Sequence, residues 1–247
     1  MLFVVPDGTP SDAEAIADAM SAQGEVTVSA ALIESYGEAL RALCDGTASV
    51  VSLNAFAYLA AREESCGTPI YVLERNGDTF TQGQLVARDV FAPQFFRGAY
   101  CRLDAESLHT WVIPRLFLLA RGVDPAVNFA SIVDTESDRA TVEAILDLSC
   151  GLGATSLGAE ADLQDIPGID RLQVLQELPA VPNDLIVLSS HLDAFTQALL
   201  ADLLRGQRDE LAALFDADTL QEPDDAMFDD LVALLVAAGV EIGSLPR

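Results

Sequence analysis

The sequence predicts an α/β fold in two lobes, with two chain crossings and a C-terminal helical tail on lobe 1. Three observations predict it. Short apolar stretches of strand character alternate with stretches of helical period, the pattern of a mainly parallel sheet covered on both faces. The alternation runs to residues 84–90 and restarts at Ala99 with no long linker between the two blocks. Beyond Ser189 only helical patterns remain.

Each element has its own warrant. Leu2–Val5 is an apolar strand ended by Pro6, Asp7 and Gly8. Ser11 with Glu14 three residues on forms a capping box, and Ala13, Ile16, Ala17 and Met20 then recur at helical spacing. Residues 26–33 alternate as a strand, and 36–43 form a helix with Leu40 and Leu43 inward. The apolar strand 49–53 leads to Asn54 and the helix 55–62. Strand 70–74, the turn Asn76-Gly77-Asp78 and strand 84–90 complete the first block. The second block holds strand 99–103, helix 108–121, strand 129–133, helix 139–148, strand 152–157 and the short strand 172–175. Strand 184–189 is followed by helices over 192–205, 209–215 and 226–238. Crossings at strands 84–90 and 184–189 put 1–88 and 187–247 in lobe 1 and 89–186 in lobe 2.

Composition narrows the function. The chain has 247 residues, 51% of them hydrophobic, enough for a well-filled core. Its net charge is −26, and its 13 basic residues are all arginine. Nucleic acid and anionic membrane surfaces both call for basic patches, so neither is an expected partner. No apolar run approaches the ~20 residues of a membrane span. The opening MLFVVPDG lacks the basic region and cleavage site of a signal peptide. An intracellular protein fits that, and so does one whose leader has been replaced by a start methionine. The second is the expectation adopted here.

Four cysteines, Cys44, Cys66, Cys101 and Cys150, match neither a zinc pattern nor a CxxC motif. They allow three pairings. Cys44–Cys66 with Cys101–Cys150 keeps each bond within one lobe, whereas four buried thiols are the alternative. His109 and His191, the only histidines, lack the spacing of a metal pair, and no nucleotide-cradling glycine motif occurs, so no metal and no cofactor are expected.

The chemistry concentrates at strand ends. Ser107 stands where strand 99–103 turns into helix 108–121, and a helix N-terminus there is a receptor for a carboxylate, sulfate or phosphate. His109 and Thr110 share that first turn. In open α/β sheets ligands sit at the carboxyl ends of strands. Those ends carry Asn54, the 104–107 turn, Glu136, Ser137, Asp138 and Thr155, which face one cleft if the two blocks face each other. Tyr58 lies one helical turn beyond Asn54, and Phe80, Thr81, Gln82 and Gln84 stand at the first crossing as a rim of lobe 1. Each has a plainer reading as cap or core, Tyr58 above all.

Five stretches in order, SLNAFAYLAA (52–61), TQGQLVAR (81–88), YCRLDAESLHTWVIPRLFLLARGVDP (100–125), CGLGATS (150–156) and VPNDLIVLS (181–189), carry a family likeness. Together they resemble the phosphate/phosphonate-type substrate-binding proteins of ABC transporters, with the type 2 periplasmic binding protein fold. The resemblance implies a secreted or lipid-anchored extracytoplasmic receptor of two disulfide-compatible lobes. It also implies a non-enzymatic protein, expected as a monomer, that captures a small polar ligand by hinge closure and meets a membrane permease.

The family's anion loop reads Asp-Pro-x-Ser-Thr-Ser-Gly; this chain has Asp104, Ala105, Glu106, Ser107, Leu108, His109 and Thr110 there. One hydroxyl survives in its place. The family's next Ser-His pair is Glu136-Ser137, its paired aromatics are Phe80-Thr81, and the acidic residue after its later cysteine is Gly151. Each lost charge-assisted hydrogen bond is worth roughly 1.5–3 kcal/mol, so the resemblance implies the fold more firmly than plain phosphate as ligand. A Glu136 that faces inward favours a cationic or zwitterionic ligand. Two other readings go with the same fold: a ligand-sensing domain of a larger receptor, and a thiaminase-like enzyme using a cleft cysteine.

Overall fold

The computed structural model describes residues 2–5, 10–23, 27–33 and 35–242, with the backbone alone at 2–5, 10–12, 23 and 94. In chain order its first elements are β1 (Leu2–Val5), α1 (Pro10–Gln23), β2 (Ser29–Leu32), α2 (Tyr36–Cys44), β3 (Val50–Leu53), α3 (Ala55–Glu63), β4 (Gly67–Glu74), β5 (Phe80–Thr81) and β6 (Gly83–Ala87). Then come β7 (Ala99–Arg102), a π-helical turn (Leu108–Val112), α4 (Ile113–Leu119), α5 (Pro125–Asn128), β8 (Ser131–Asp134), α6 (Asp138–Leu146), β9 (Leu152–Ser156) and α7 (Ala159–Asp162). The last are β10 (Gln173–Glu177), β11 (Val181–Pro182), β12 (Leu185–Ser189), α8 (Ala194–Gly206), α9 (Arg208–Leu214), β13 (Thr219–Gln221) and α10 (Asp229–Ala238).

The chain divides into two units, 1–80 with 182–228 and 241–247, and 81–181 with 229–240. The first unit is built on a six-stranded sheet in the order β13-β4-β12-β3-β1-β2. β1 runs parallel to β2 and β3, whereas β12 is antiparallel to both β3 and β4, and β13 to β4. Its core joins Ile16 and Met20 of α1, Val50, Leu73 and Ile186 of the sheet, and Leu200, Leu204 and Leu211 of the C-terminal helices. Asn54 caps α3 by accepting the Ala57 N–H at 2.8 Å, and Asp193 caps α8 through the Thr196 N–H at 2.9 Å.

The second unit has a five-stranded sheet in the order β10-β6-β9-β7-β8. β7 is parallel to β8 and β9; β6 is antiparallel to β9, and β10 to β6. Val86, Cys101, Ile145 and Cys150 form one buried cluster on it, and Val142, Leu146 and Ile166 another. Ile113, Leu116, Phe117 and Leu118 of α4 are buried, as are Leu231, Leu234 and Leu235 of α10, the helix packed against it.

Both disulfides form within a unit, Cys44–Cys66 and Cys101–Cys150. Each sheet is mixed rather than mainly parallel, because periodicity marks a strand without fixing its direction. The division falls between 80 and 81 and between 181 and 182, ahead of the expected 88/89 and 186/187. The reason is pairing: β6 belongs to the second sheet through β9 and β10, and β12 sits inside the first sheet. Thr219–Gln221 is a strand where only helix is expected, and α10 joins the second unit instead of lobe 1. α1 starts at Pro10, so Ser11 is already inside it; the capping-box side chain of Ser11, the Pro6–Gly8 turn and residues 24–26 lie outside the described residues.

Candidate functional site

Parallel strands β7, β8 and β9 send their carboxyl ends to one edge of the second unit's sheet. Three connections start there: the 103–107 turn after β7, the 135–137 turn after β8, and the 157–158 turn after β9. That edge gathers six of the residues singled out from the sequence, Ser107, His109, Thr110, Glu136, Ser137 and Thr155.

The turn after β7 is built by Asp104. Its Oδ1 accepts the N–H groups of Glu106 and Ser107 at 2.6 and 2.7 Å, bending the chain so that Ser107 becomes the cap. Ser107 Oγ then accepts the Thr110 N–H at 3.4 Å and the Thr110 hydroxyl at 2.7 Å. The helix opens with π geometry: the Ser107 carbonyl accepts from both Trp111 N–H (3.0 Å) and Val112 N–H (2.9 Å). Such single π turns insert one extra residue into a helix and recur at functional sites.

Thr110 anchors the turn. It is fully buried, its hydroxyl accepts the Leu103 N–H at 3.1 Å, and its carbonyl accepts the Tyr100 hydroxyl at 2.8 Å. Burial pushes the Tyr100 phenol far above its ordinary pKa, with Arg102 pulling weakly the other way. Ser107 is half-buried and already accepts two hydrogen bonds. Its own hydroxyl proton has no acceptor among the described residues. A serine so placed can donate one hydrogen bond outward. Leu108 is buried, and His109 is half-buried.

The other two connections add acceptors. Ser137 is an exposed cap for α6, taking the Ala140 N–H at 3.1 Å, and Glu136 is exposed beside it. Asp138 Oδ2 accepts the Ser156 N–H at 3.1 Å, while its Oδ1 is buried without a partner among the described residues. Thr155 is fully buried, and its hydroxyl accepts from the buried Gln84 amide at 3.3 Å. Gln84 also donates to Glu160 at 2.6 Å. Two basic groups stand by this edge: Arg102 pairs with Asp134 at 2.6 Å and lies 4.5 Å over the Trp111 ring, and Arg139, in the first turn of α6, pairs with Asp165 at 2.7 Å. The edge therefore combines an outward hydroxyl at a helix start with several carboxylates.

The remaining candidates stand on other elements. Asn54 is buried as the α3 cap. Tyr58 is 2% exposed and packs on Phe228 with ring centroids 4.9 Å apart. Burial raises its pKa, opposed by Arg62 and reinforced by Asp225. Phe80 and Thr81 form β5, at the first passage between units, and Gln82 donates to the Leu178 carbonyl at 2.7 Å. Sequence reasoning missed Glu160, whose only signal is its place at the start of α7, just after β9. It also missed Gly83, against which the His109 backbone rests.

All four cysteines are bonded, so the enzyme alternative that relied on a cleft thiol has no thiol to use. Cys44, Glu64 and Cys66 stand close enough to suggest a metal site, but two of the three are disulfide sulfurs. No helix among the described residues is long and apolar enough to cross a membrane.

Comparison with known proteins agrees with this architecture. The family model described as ABC transporter, phosphonate, periplasmic substrate-binding protein matches residues 2–228. Among solved structures, XAC2383 from Xanthomonas citri, bound to chloride, is 16% identical with a TM-score of 0.72, covering 97% of each chain. A binding protein component of an ABC phosphonate transporter from Pseudomonas aeruginosa is 16% identical with a TM-score of 0.68, covering 97% of this chain and 86% of that one. PhnD1 from Prochlorococcus marinus, in complex with methylphosphonate, is 14% identical with a TM-score of 0.62, covering 96% and 97%. At these identities the likeness is one of fold. No curated protein matches by sequence.

Proposed function

We propose, from the premise that this chain belongs to the phosphonate-type periplasmic substrate-binding family of ABC transporters, that it is an extracytoplasmic solute receptor whose ligand is held at the Ser107 turn. The observation that carries this reading is the free donor on Ser107, a hydroxyl with both acceptor positions filled and its proton left for a ligand. A phosphonate or similar oxyanion fits that donor and the positive end of the helix behind it.

The carboxylates refine the ligand. Glu136, and Asp138 with its unmatched buried Oδ1, favour N–H donors over a second anionic group. A zwitterion with an anionic head and an ammonium satisfies both sets, and simple phosphate satisfies only one. Losing the family's second and third loop hydroxyls points the same way. Capture by hinge closure, a monomeric state, a leader or lipid anchor, and a permease that reads the closed form complete the proposal.

A thermal-shift screen tests it, with methylphosphonate, an aminoalkylphosphonate, phosphate, sulfate, amino acids and thiamine-type pyrimidines as probes. A ligand at about 100 times its Kd adds about 2.7 kcal/mol. For a chain of this size that raises the melting temperature by roughly 5–10 °C. The aminoalkylphosphonate is expected to give the largest shift. Silence across all the probes would overturn the reading.

A further inference from the structure

We infer that Gly83 is a positioning residue for ligand recognition: its bare backbone is the seat on which the Ser107 turn rests. The inference depends on the Ser107 reading above. A methyl group at Gly83 would stand 3.0 Å from the carbonyl carbon of His109 and 3.2 Å from its Cβ, and closer still to its carbonyl oxygen. Backbone, unlike the tip of a long side chain, cannot swing aside from such a contact. The strand at Gly83 is equally fixed. Gly83 lies opposite Ser156 in the β6–β9 ladder, and its carbonyl accepts the Leu178 N–H at 2.9 Å.

With β6 held on both sides, a side chain at 83 displaces the π turn instead of the strand. The turn carries His109, and through Thr110 it is coupled to the Ser107 hydroxyl. Gly83 touches no ligand in this account; it sets how deep the turn sits and so where the Ser107 proton points. Its neighbour Gln84 braces the same edge through Thr155 and Glu160, so both consecutive residues of β6 serve one region.

The test is a double-mutant cycle on the full chain with methylphosphonate and an aminoalkylphosphonate as probes. Gly83→Ala is expected to weaken binding about tenfold or more, Ser107→Ala likewise, and the double variant about as much as either alone. A merely structural role for Gly83 gives additive losses, and that result overturns the inference. A second readout needs no ligand. Trp111 is the only tryptophan and lies in the π turn. Gly83→Ala is expected to shift its emission in the free protein, and an unchanged emission with unchanged affinity overturns the inference. If Gly83→Ala does not fold, the wild type carries the test. Saturating probe should move the Gly83 amide resonance together with those of Ser107 and His109, and a stationary Gly83 resonance contradicts the proposal. Absence of any binding by the wild type would instead remove the Ser107 reading itself.

Discussion

The Thr110 hydroxyl donates to Ser107 Oγ at 2.7 Å while accepting the Leu103 N–H at 3.1 Å. One buried threonine thus ties the first residue of the turn to the cap of the helix. Thr110→Val keeps the shape and removes both bonds, leaving the Leu103 N–H without its acceptor. The expected loss is about 1–3 kcal/mol of stability, together with weaker ligand binding as Ser107 loses its orientation. Thr110→Ser retains the hydroxyl and should restore most of both. Denaturant unfolding and titration of the two variants check this.

Tyr100 gives the fold a pH signature. Its phenol is buried, raised in pKa and bonded to the Thr110 carbonyl. The unfolded chain loses that proton near pH 10, whereas the folded chain keeps it to higher pH. Stability is therefore full below about pH 10 and falls as pH rises beyond it. Tyr100→Phe should be less stable near neutrality, since the Thr110 carbonyl loses its donor. It should also show a shallower alkaline decline, by unfolding measured between neutral pH and pH 11 or so.

Much of this architecture is legible in the sequence, for physical reasons. Val50–Leu53 and Leu185–Ser189 are buried along their length, so they read as mainly apolar runs, with only Ser52 and Ser189 polar. Ser107 and Ser137 are recognisable as caps because a hydroxyl before a helical run has few other uses. Strand direction is not legible: β6 and β12 alternate or bury like parallel strands yet run antiparallel to their neighbours. Thr219–Gln221 has three residues, too few to show a period. The π turn escapes because it depends on one extra residue being accommodated by packing, which no residue pattern marks. Asp138 and Gln84 are marked by their places at a strand end and before the first crossing, but their partners, Ser156 and Thr155, show only once the strands pair.

The disulfides close loops of sequence separation 22 and 49. By chain entropy each contributes about 2–4 kcal/mol, the longer loop more. Replacing Cys101 and Cys150 together by alanine should destabilise the protein more than replacing Cys44 and Cys66. Thermal unfolding of the two paired variants, and of the wild type with and without reductant, measures the difference.

Charge should govern which ligands are accepted. Glu136→Gln removes one exposed carboxylate from the strand-end edge without touching the Ser107 turn. It is expected to weaken an aminoalkylphosphonate a fewfold and to leave methylphosphonate unchanged or slightly tighter, because an exposed charge acts through a screened field. Competition titrations at low and moderate salt show the change in preference, which should shrink as salt rises.

The most direct measurement is calorimetric titration of an aminoalkylphosphonate into the wild type and into Ser107→Ala. The expected result is saturable binding of one ligand per chain, weakened roughly 10- to 150-fold by the loss of a single hydroxyl that donates to a charged group. Equal affinity in the two proteins, or no saturable heat in the wild type, would contradict the assignment of ligand recognition to Ser107.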